Sequence, residues 1–309
     1  MESPRGINDP SLGALAEVLA QADTVLLLGK KLDFTLGFGE PPSLAPECRL
    51  VQIDPEPQVL EQTQRVLSNQ SRLVLTMLAD PTTTLEALLN LTPERERTDT
   101  AWYDEVLAAV SYRPSEWEAL AMGQEGPLHP VQVGSGAADS LRGDAAVFIS
   151  DGGEYGQWAQ SCLTASNRVI NGPSGSIGSA IPFAMAARLV FPNAPVMTFL
   201  GDGTMGFHLM EFDTAVRYNL PFIAVVGNDA TWNAEFQIQI RDYGPDRLVG
   251  CELRPTRYDE VVKALGGYGE HVSTPEQLGP ALERARDSGL PACIDVSIQR
   301  VPSPVIRRG

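Results

Sequence analysis

The sequence predicts an α/β protein built on parallel sheets, and three observations carry that expectation. Short, almost wholly apolar runs (VMTFL at 196–200, FIAVVG at 222–227) are bounded by glycines and polar turns, the pattern of strands buried on both faces. Helical periodicity fills the interval between those two runs, as a strand–helix–strand unit requires. The same alternation occurs near the start, with TVLLLG at 24–29 and LVQID at 50–54.

Taken in order, residues 11–21 read as a helix, 24–29 and 50–54 as buried strands, 72–77 as a third strand and 81–90 as a second helix. Periodicity then lapses over 92–127, a stretch holding Trp102, Pro114 and Trp117. This places a first domain at 1–95, a linker at 96–126 and a second domain at 127–309. Within the second, 145–149 and 168–170 are strand-like, and 180–190 is a helix entered through glycines. Residues 207–218 form an amphipathic helix whose apolar face offers Phe207, Met210, Phe212, Ala215 and Val216.

Composition bounds the function. A chain of 309 residues with 43% apolar content has enough material for two sizeable cores. A net charge of −16 argues against nucleic acid or an anionic membrane as partner. Cys48, Cys162, Cys251 and Cys293 lack metal-type or CxxC spacing, which fits free thiols of a reducing compartment. With no apolar run near 18 residues and a polar start, the cytoplasm is the expected location. His129, His208 and His271 are scattered, and the plain expectation for each is a structural histidine; His208, closest to the GDG motif, is the first to inspect.

The informative motif is Gly201-Asp202-Gly203-Thr204, followed 26 positions after the aspartate by Asn228-Asp229. Each polar group closes an apolar run, so both stand at the carboxyl ends of strands, where open parallel sheets bind ligands. Adjacent strands lie about 4.8 Å apart, close enough for two side-chain oxygens to share one small cation. Mg²⁺ suits such a place, because it takes few protein oxygens and completes its shell with phosphate and water. A second motif is Gly172-Pro173-Ser174-Gly175-Ser176-Ile177-Gly178; a third is Asp151-Gly152-Gly153-Glu154-Tyr155. Gly134-Ser135-Gly136 invites a dinucleotide-binding reading, but the residues before it are more helix than strand and no suitably placed acid follows.

Together the three motifs resemble those of thiamine-diphosphate (ThDP) enzymes, whose signature is GDG, about 26 residues, then an asparagine pair. The resemblance implies a three-layer, parallel-sheet ThDP-binding domain, preceded by a partial Rossmann-like central domain in which 26–39 and 51–54 match family strands. It implies ThDP and Mg²⁺, with Asp202, Asn228 and the carbonyl of Ala230 as metal ligands. Gly153, Glu154, Tyr155, Gly201, Gly203, Thr204 and Asn228 would surround the diphosphate. Gly175, Ser176 and Ile177 would take the aminopyrimidine, Ile177 as the wedge that bends the cofactor and the Gly175 carbonyl as acceptor from its amino group. The family commonly has Gly-Gln-His where this chain has Gly153-Glu154-Tyr155; a glutamate there is awkward unless it turns away or caps backbone amides.

Residues 26–39 and 227–232 look like the acetolactate-synthase-like branch, which includes 2-hydroxyacyl-CoA lyases and oxalyl-CoA decarboxylases. The implied activity is C–C cleavage or carboligation on a 2-oxo acid, with 2-hydroxyacyl-CoA lyase or oxalyl-CoA decarboxylase chemistry as the alternative, and a non-catalytic or truncated fragment as a third reading. In the family, a pyrimidine domain donates the glutamate that activates the cofactor; none is recognisable here, and Glu235 falls on the wrong side. The expectation is a second subunit bearing that domain, in a homo- or hetero-oligomer. Substrate contacts are expected from 231–237, including Trp232 and Phe236, and the tail from Val301 is a candidate lid in which Arg307 and Arg308 end as a solvated basic segment.

Overall fold

A computed structural model of the chain describes residues 6–91, 100–122, 126–171 and 175–308. Residues 96–99 and 123–125 of the expected linker, and Gly172, Pro173 and Ser174 of the glycine-rich loop, lie outside the described residues. The chain divides into two compact units, one spanning Pro114–Val305 and the other holding the residues up to Arg113 with the chain end from Ile306.

In the N-terminal unit, β1 (Thr24–Leu28), β2 (Arg49–Asp54) and β3 (Leu73–Leu78) form a parallel sheet in the order β1-β2-β3. Helices α1 (Leu15–Leu19), α2 (Pro57–Val66), α3 (Pro81–Leu91) and α4 (Ala101–Ser111) accompany it. Its core gathers Leu27, Leu32, Leu44, Leu50 and Leu67. The helix expected over 11–21 is shorter than its periodicity suggests. Gly13 sits at φ 57°, and a Cβ there would come within 2.5 Å of the Ala109 carbonyl and 2.6 Å of that of Val110. A 3₁₀ turn, Pro10–Leu12, therefore ends at Gly13, and α1 begins only at Leu15.

The second unit begins with α5 (Glu116–Ala121) and α6 (Pro130–Ala137), then runs β4 (Val147–Asp151), α7 (Glu154–Cys162), β5 (Asn167–Ile170), α8 (Ala180–Val190) and β6 (Val196–Gly201). It continues through α9 (Asp202–His208), α10 (Glu211–Arg217), β7 (Ile223–Asn228), α11 (Asn233–Tyr243), α12 (Tyr258–Ala264), β8 (Tyr268–Val272), α13 (Pro275–Asp287) and β9 (Ala292–Ser297). The six strands are all parallel, in the order β5-β4-β6-β7-β9-β8. Alternate residues of each strand enter two separate cores. Phe148, Phe199, Val225 and Ile294 pack under α6, α7 and α13, whereas Val147, Leu200, Val226 and Cys293 pack under α8, α10 and α12. This is a three-layer α/β domain, as the sequence predicts.

One detail differs from expectation. The helix placed at 207–218 is two helices, α9 and α10, and α9 starts at Asp202 itself; Phe207 and Met210 are exposed, while Phe212 and Ala215 are fully buried. Gly134 and Gly136 lie inside α6, where a Cβ would meet Cys162 at 2.4 Å and Leu278 at 2.8 Å. They are glycines because α7 and α13 approach closely, so the dinucleotide motif has no counterpart in the structure.

Candidate cofactor and metal site

Pairing of β4, β6 and β7 in register brings Asp151, Gly201 and Asn228 to one edge of the sheet, since Asp151 lies opposite Leu200 and Gly201 opposite Gly227. Three helices start there: α7 at Glu154, α9 at Asp202 and α11 at Asn233. The first N–H groups of a helix have no intrahelical acceptor, and the helix dipole adds positive potential. The first turns of all three line a cavity of about 360 Å³. A chain this acidic can therefore hold phosphate oxygens without a basic patch.

Close approach explains the glycines. A Cβ on Gly203 would come within 2.5 Å of the Trp232 ring, one on Gly153 within 2.6 Å of Ala234, and one on Gly227 within 2.6 Å of the Tyr155 ring. Gly153, Glu154, Tyr155, Gly201, Gly203 and Thr204 line the cavity together with Gly175 and Ile177. Ser176 is exposed and stands outside the lining.

Two carboxylates dominate the electrostatics. Asp202 is 2% exposed, and burial pushes its carboxyl up to about 6 although it accepts from the N–H groups of Gly203 (2.9 Å) and Thr231 (3.2 Å). Asp229 is pushed up to about 7, by burial first and then by the charge of Asp202, with Arg300 opposing. A second acidic cluster, Asp259, His271 and Asp295, makes an instructive contrast. There Arg257 grips both oxygens of Asp259 (2.8 and 2.7 Å), Lys263 approaches to 3.9 Å, and Asp295 receives Asn228 (3.0 Å) and His271 (3.3 Å). Asp259 is thus paired with protein cations. Among the described residues no lysine or arginine pairs with the Asp202 carboxylate, while Arg300 acts on Asp229.

Asn228 and Ala230 sit in a hydrogen-bonded loop. The Asn228 Nδ2 donates to Asp295 Oδ1 (3.0 Å) and the Thr256 carbonyl (2.9 Å), while its Oδ1 accepts from the Ala230 N–H (3.3 Å). The carbonyl of Ala230 accepts from the Leu253 N–H at 2.8 Å. Each of these two oxygens keeps a lone pair beyond the hydrogen bond it accepts. Asp229, the residue after β7, feels the charge of Asp202. Asp229 and Thr231 line the cavity, as does Asn171. Sequence reasoning noted Asp229 only as the partner of Asn228 and Thr231 only within the 231–237 stretch of expected substrate contacts, and passed over Asn171.

Glu154 turns away, as its position demands. Its carboxylate accepts from the Ser303 N–H, the indole of Trp158 donates to the Pro302 carbonyl (2.8 Å), and Asn233 donates to that of Val301 (3.0 Å). Residues 301–303 are thereby tied to α7 and α11, beside the cavity. Arg300 lies 4.6 Å over the ring of Phe236, and Trp232 and Glu235 line the cavity. In the N-terminal unit Arg308 is no solvated tail: it pairs with Glu17 (3.1 Å) and Glu105 (2.7 Å). His129 caps α6 through Nδ1 (3.2 Å from the Val131 N), and all four cysteines are free thiols. No helix among the described residues is long and apolar enough to cross a membrane.

Comparison with known proteins agrees with this geometry. The C-terminal TPP-binding domain of thiamine pyrophosphate enzymes matches residues 151–296, from the tip of β4 to the end of β9. An acetolactate synthase large subunit of Mycobacterium tuberculosis is 37% identical over 287 residues, covering 92% of this chain and 50% of that protein. A 2-hydroxyacyl-CoA lyase 2 of Caenorhabditis elegans is 29% identical over 284 residues, 90% of this chain and 43% of the relative. A sulfoacetaldehyde acetyltransferase of Alcaligenes xylosoxydans is 28% identical over 299 residues, 89% of this chain and 49% of the relative. The chain spans about half the length of the curated relatives it matches. By its β4–β9 region and by these relatives, the chain belongs to the thiamine-diphosphate-dependent enzyme family, whose C-terminal cofactor-binding domain it carries.

Proposed function

We propose that the chain supplies the ThDP- and Mg²⁺-binding part of an enzyme that cleaves or joins a C–C bond of a 2-oxo acid, as acetolactate synthases do. The carrying observation is the Asp202 carboxylate, buried at a strand tip near that of Asp229, with no lysine or arginine paired to it among the described residues and three helix starts around it. In this reading the carboxylate of Asp202, the side-chain oxygen of Asn228 and the carbonyl of Ala230 hold the metal, with the Asp229 carboxylate beside them. Backbone N–H groups of Gly153 and Thr204 receive the diphosphate. Ile177 props the cofactor and the Gly175 carbonyl accepts from its aminopyrimidine. Bound ThDP supplies an electron sink for the carbanion left when a carboxylate or carbonyl fragment departs. The residues of this chain fix where that charge develops, and Trp232 and Tyr155 keep water from its neighbourhood.

The activating glutamate belongs, in the same proposal, to a pyrimidine domain on a partner subunit, within a cytoplasmic homo- or hetero-oligomer. The names of the relatives favour a second substrate class, 2-hydroxyacyl-CoA thioesters, alongside 2-oxo acids. Isothermal titration of the purified chain with ThDP and Mg²⁺ tests the shared premise. Asp202→Ala and Asn228→Ala each weaken binding about 100-fold, whereas Asp229→Ala, acting beside the ligands, weakens it less. Equal affinity of wild type and Asp202→Ala overturns the site; an Asp229→Ala loss exceeding that of Asn228→Ala moves the ligand role to Asp229. Assaying pyruvate consumption against 2-hydroxyacyl-CoA cleavage, with and without a pyrimidine-domain protein, separates the substrate classes and tests the partner.

A further inference from the structure

Gly178 is held at both ends of its residue. Its N–H and that of Ala180 donate to Asp151 Oδ2, each at 2.9 Å, and its carbonyl lies 2.6 Å from His208 Nδ1. A carbonyl only accepts, so Nδ1 carries the proton of that bond. The other oxygen of Asp151 accepts from the Gly152 N–H at 2.7 Å. Asp151 is 1% exposed, and its carboxylate belongs to no cavity lining. One buried carboxylate thus ties the loop after β4 to the loop before α8, and one imidazole ties that second loop to the end of α9, the helix that opens with Asp202.

The gripped residue is itself demanding. Gly178 has φ +104°, a backbone conformation that L side chains rarely adopt, and a Cβ there would come within 2.6 Å of Phe207 Cβ. Ile177, whose side chain lines the cavity, immediately precedes it, and Gly175 stands three positions before it with open space where a Cβ would be. The contacts at the two ends of Gly178 tie that stretch to the strand tips. We infer that Asp151 and His208 are positioning residues: they set the distance between the metal end of the cavity and the Ile177–Gly175 end, and so select for a cofactor with a diphosphate at one end and a ring at the other. The inference rests on the reading of the cavity as a ThDP site, and it deepens that reading with Asp151, which opens the third motif, and His208, which lies outside all three.

The experiment separates the two ends. Wild type, His208→Ala, His208→Asn and Asp151→Asn are each titrated with ThDP and with inorganic pyrophosphate, both in excess Mg²⁺. His208 is exposed, so its replacement leaves the thermal midpoint near wild type. The asparagine amide reaches the Gly178 carbonyl from nearly the place of Nδ1, whereas alanine cannot donate. His208→Ala keeps pyrophosphate affinity within about twofold and loses about tenfold in ThDP affinity, the worth of one well-made hydrogen bond, and His208→Asn recovers most of it. Asp151→Asn, which turns an amide toward two N–H donors, shows the same selective loss. Unchanged ThDP affinity in His208→Ala, or equal loss of both ligands, overturns the positioning role while leaving the cofactor site standing. Failure of wild type to bind ThDP overturns the site and the inference together.

Discussion

The two sheets of this chain are written in the same language and buried to different degrees. β1 and β2, like β4, β6 and β7, are continuous apolar runs paired in parallel. In the six-stranded sheet β4, β6 and β9 are buried along nearly their whole length, because α6, α7 and α13 cover one face and α8, α10 and α12 the other. In the three-stranded sheet only β2 approaches that state, and β3 exposes Val74, Leu75, Met77 and Leu78, the last at 61%. An apolar run therefore specifies a strand, while its burial depends on covering elements distant in sequence. The difference also locates chemistry: strand tips under two layers of helix form a low-dielectric site that can shift carboxylates, and among the described residues the thin sheet has no comparable pair.

The largest effect that tests this contrast is in the thick core. Phe199 is fully buried and meets Phe148 with ring centroids 5.6 Å apart. Phe199→Ala lowers unfolding free energy by about 4 kcal/mol in urea titration. A loss under about 1 kcal/mol would mean that the core collapses around the gap and that the layers are not tightly packed.

An intermediate effect concerns pH. Folding raises Asp202 to about 6 and Asp229 to about 7, from an ordinary 3.8. Between 3.8 and those values the folded chain binds more protons than the unfolded one, so this pair costs stability as pH rises through that window. A divalent ion binds the charged forms and offsets the cost. Differential scanning should show Mg²⁺ raising the melting midpoint at about pH 8 by several degrees and scarcely at about pH 5. Asp202→Asn flattens the difference. An equal Mg²⁺ shift at both pH values would place the ion elsewhere.

Much of the fold was legible because it is local. The 180–190 helix and the strands around Gly201 and Asn228 are set by runs and periodicities that a short window contains. The site was legible as a place, but the conformation of the loop after β7 was not: it depends on a turn with Ala230 at φ 54° and on a latch from Asn228 to Asp295, 67 residues away. Asp151 read as a strand terminus because the amides it accepts from belong to Gly178 and Ala180. The start of α9 at Asp202 was hidden by Gly203 and Gly206, poor helix formers kept by the approach of Trp232 to the first of them.

The smallest effect is the most diagnostic for the thin sheet. Val74 is 53% exposed on β3, and Val74→Thr keeps its shape and β-branching while replacing one methyl with hydroxyl. On a solvated face this costs about 0.5 kcal/mol or less, roughly an eighth of the Phe199→Ala loss. On a face covered in solution the hydroxyl is desolvated without a partner, and the cost rises to about 2 kcal/mol. The same urea titration at two protein concentrations tells the cases apart, since a covering chain makes the loss depend on concentration and a solvated face does not. A large, concentration-dependent loss would erase the contrast between the sheets in the assembled protein and give the proposed partner a surface to occupy. A loss near zero at both concentrations would keep the contrast as a property of the chain alone, with the pair of shifted carboxylates confined to the sheet that has both its faces covered.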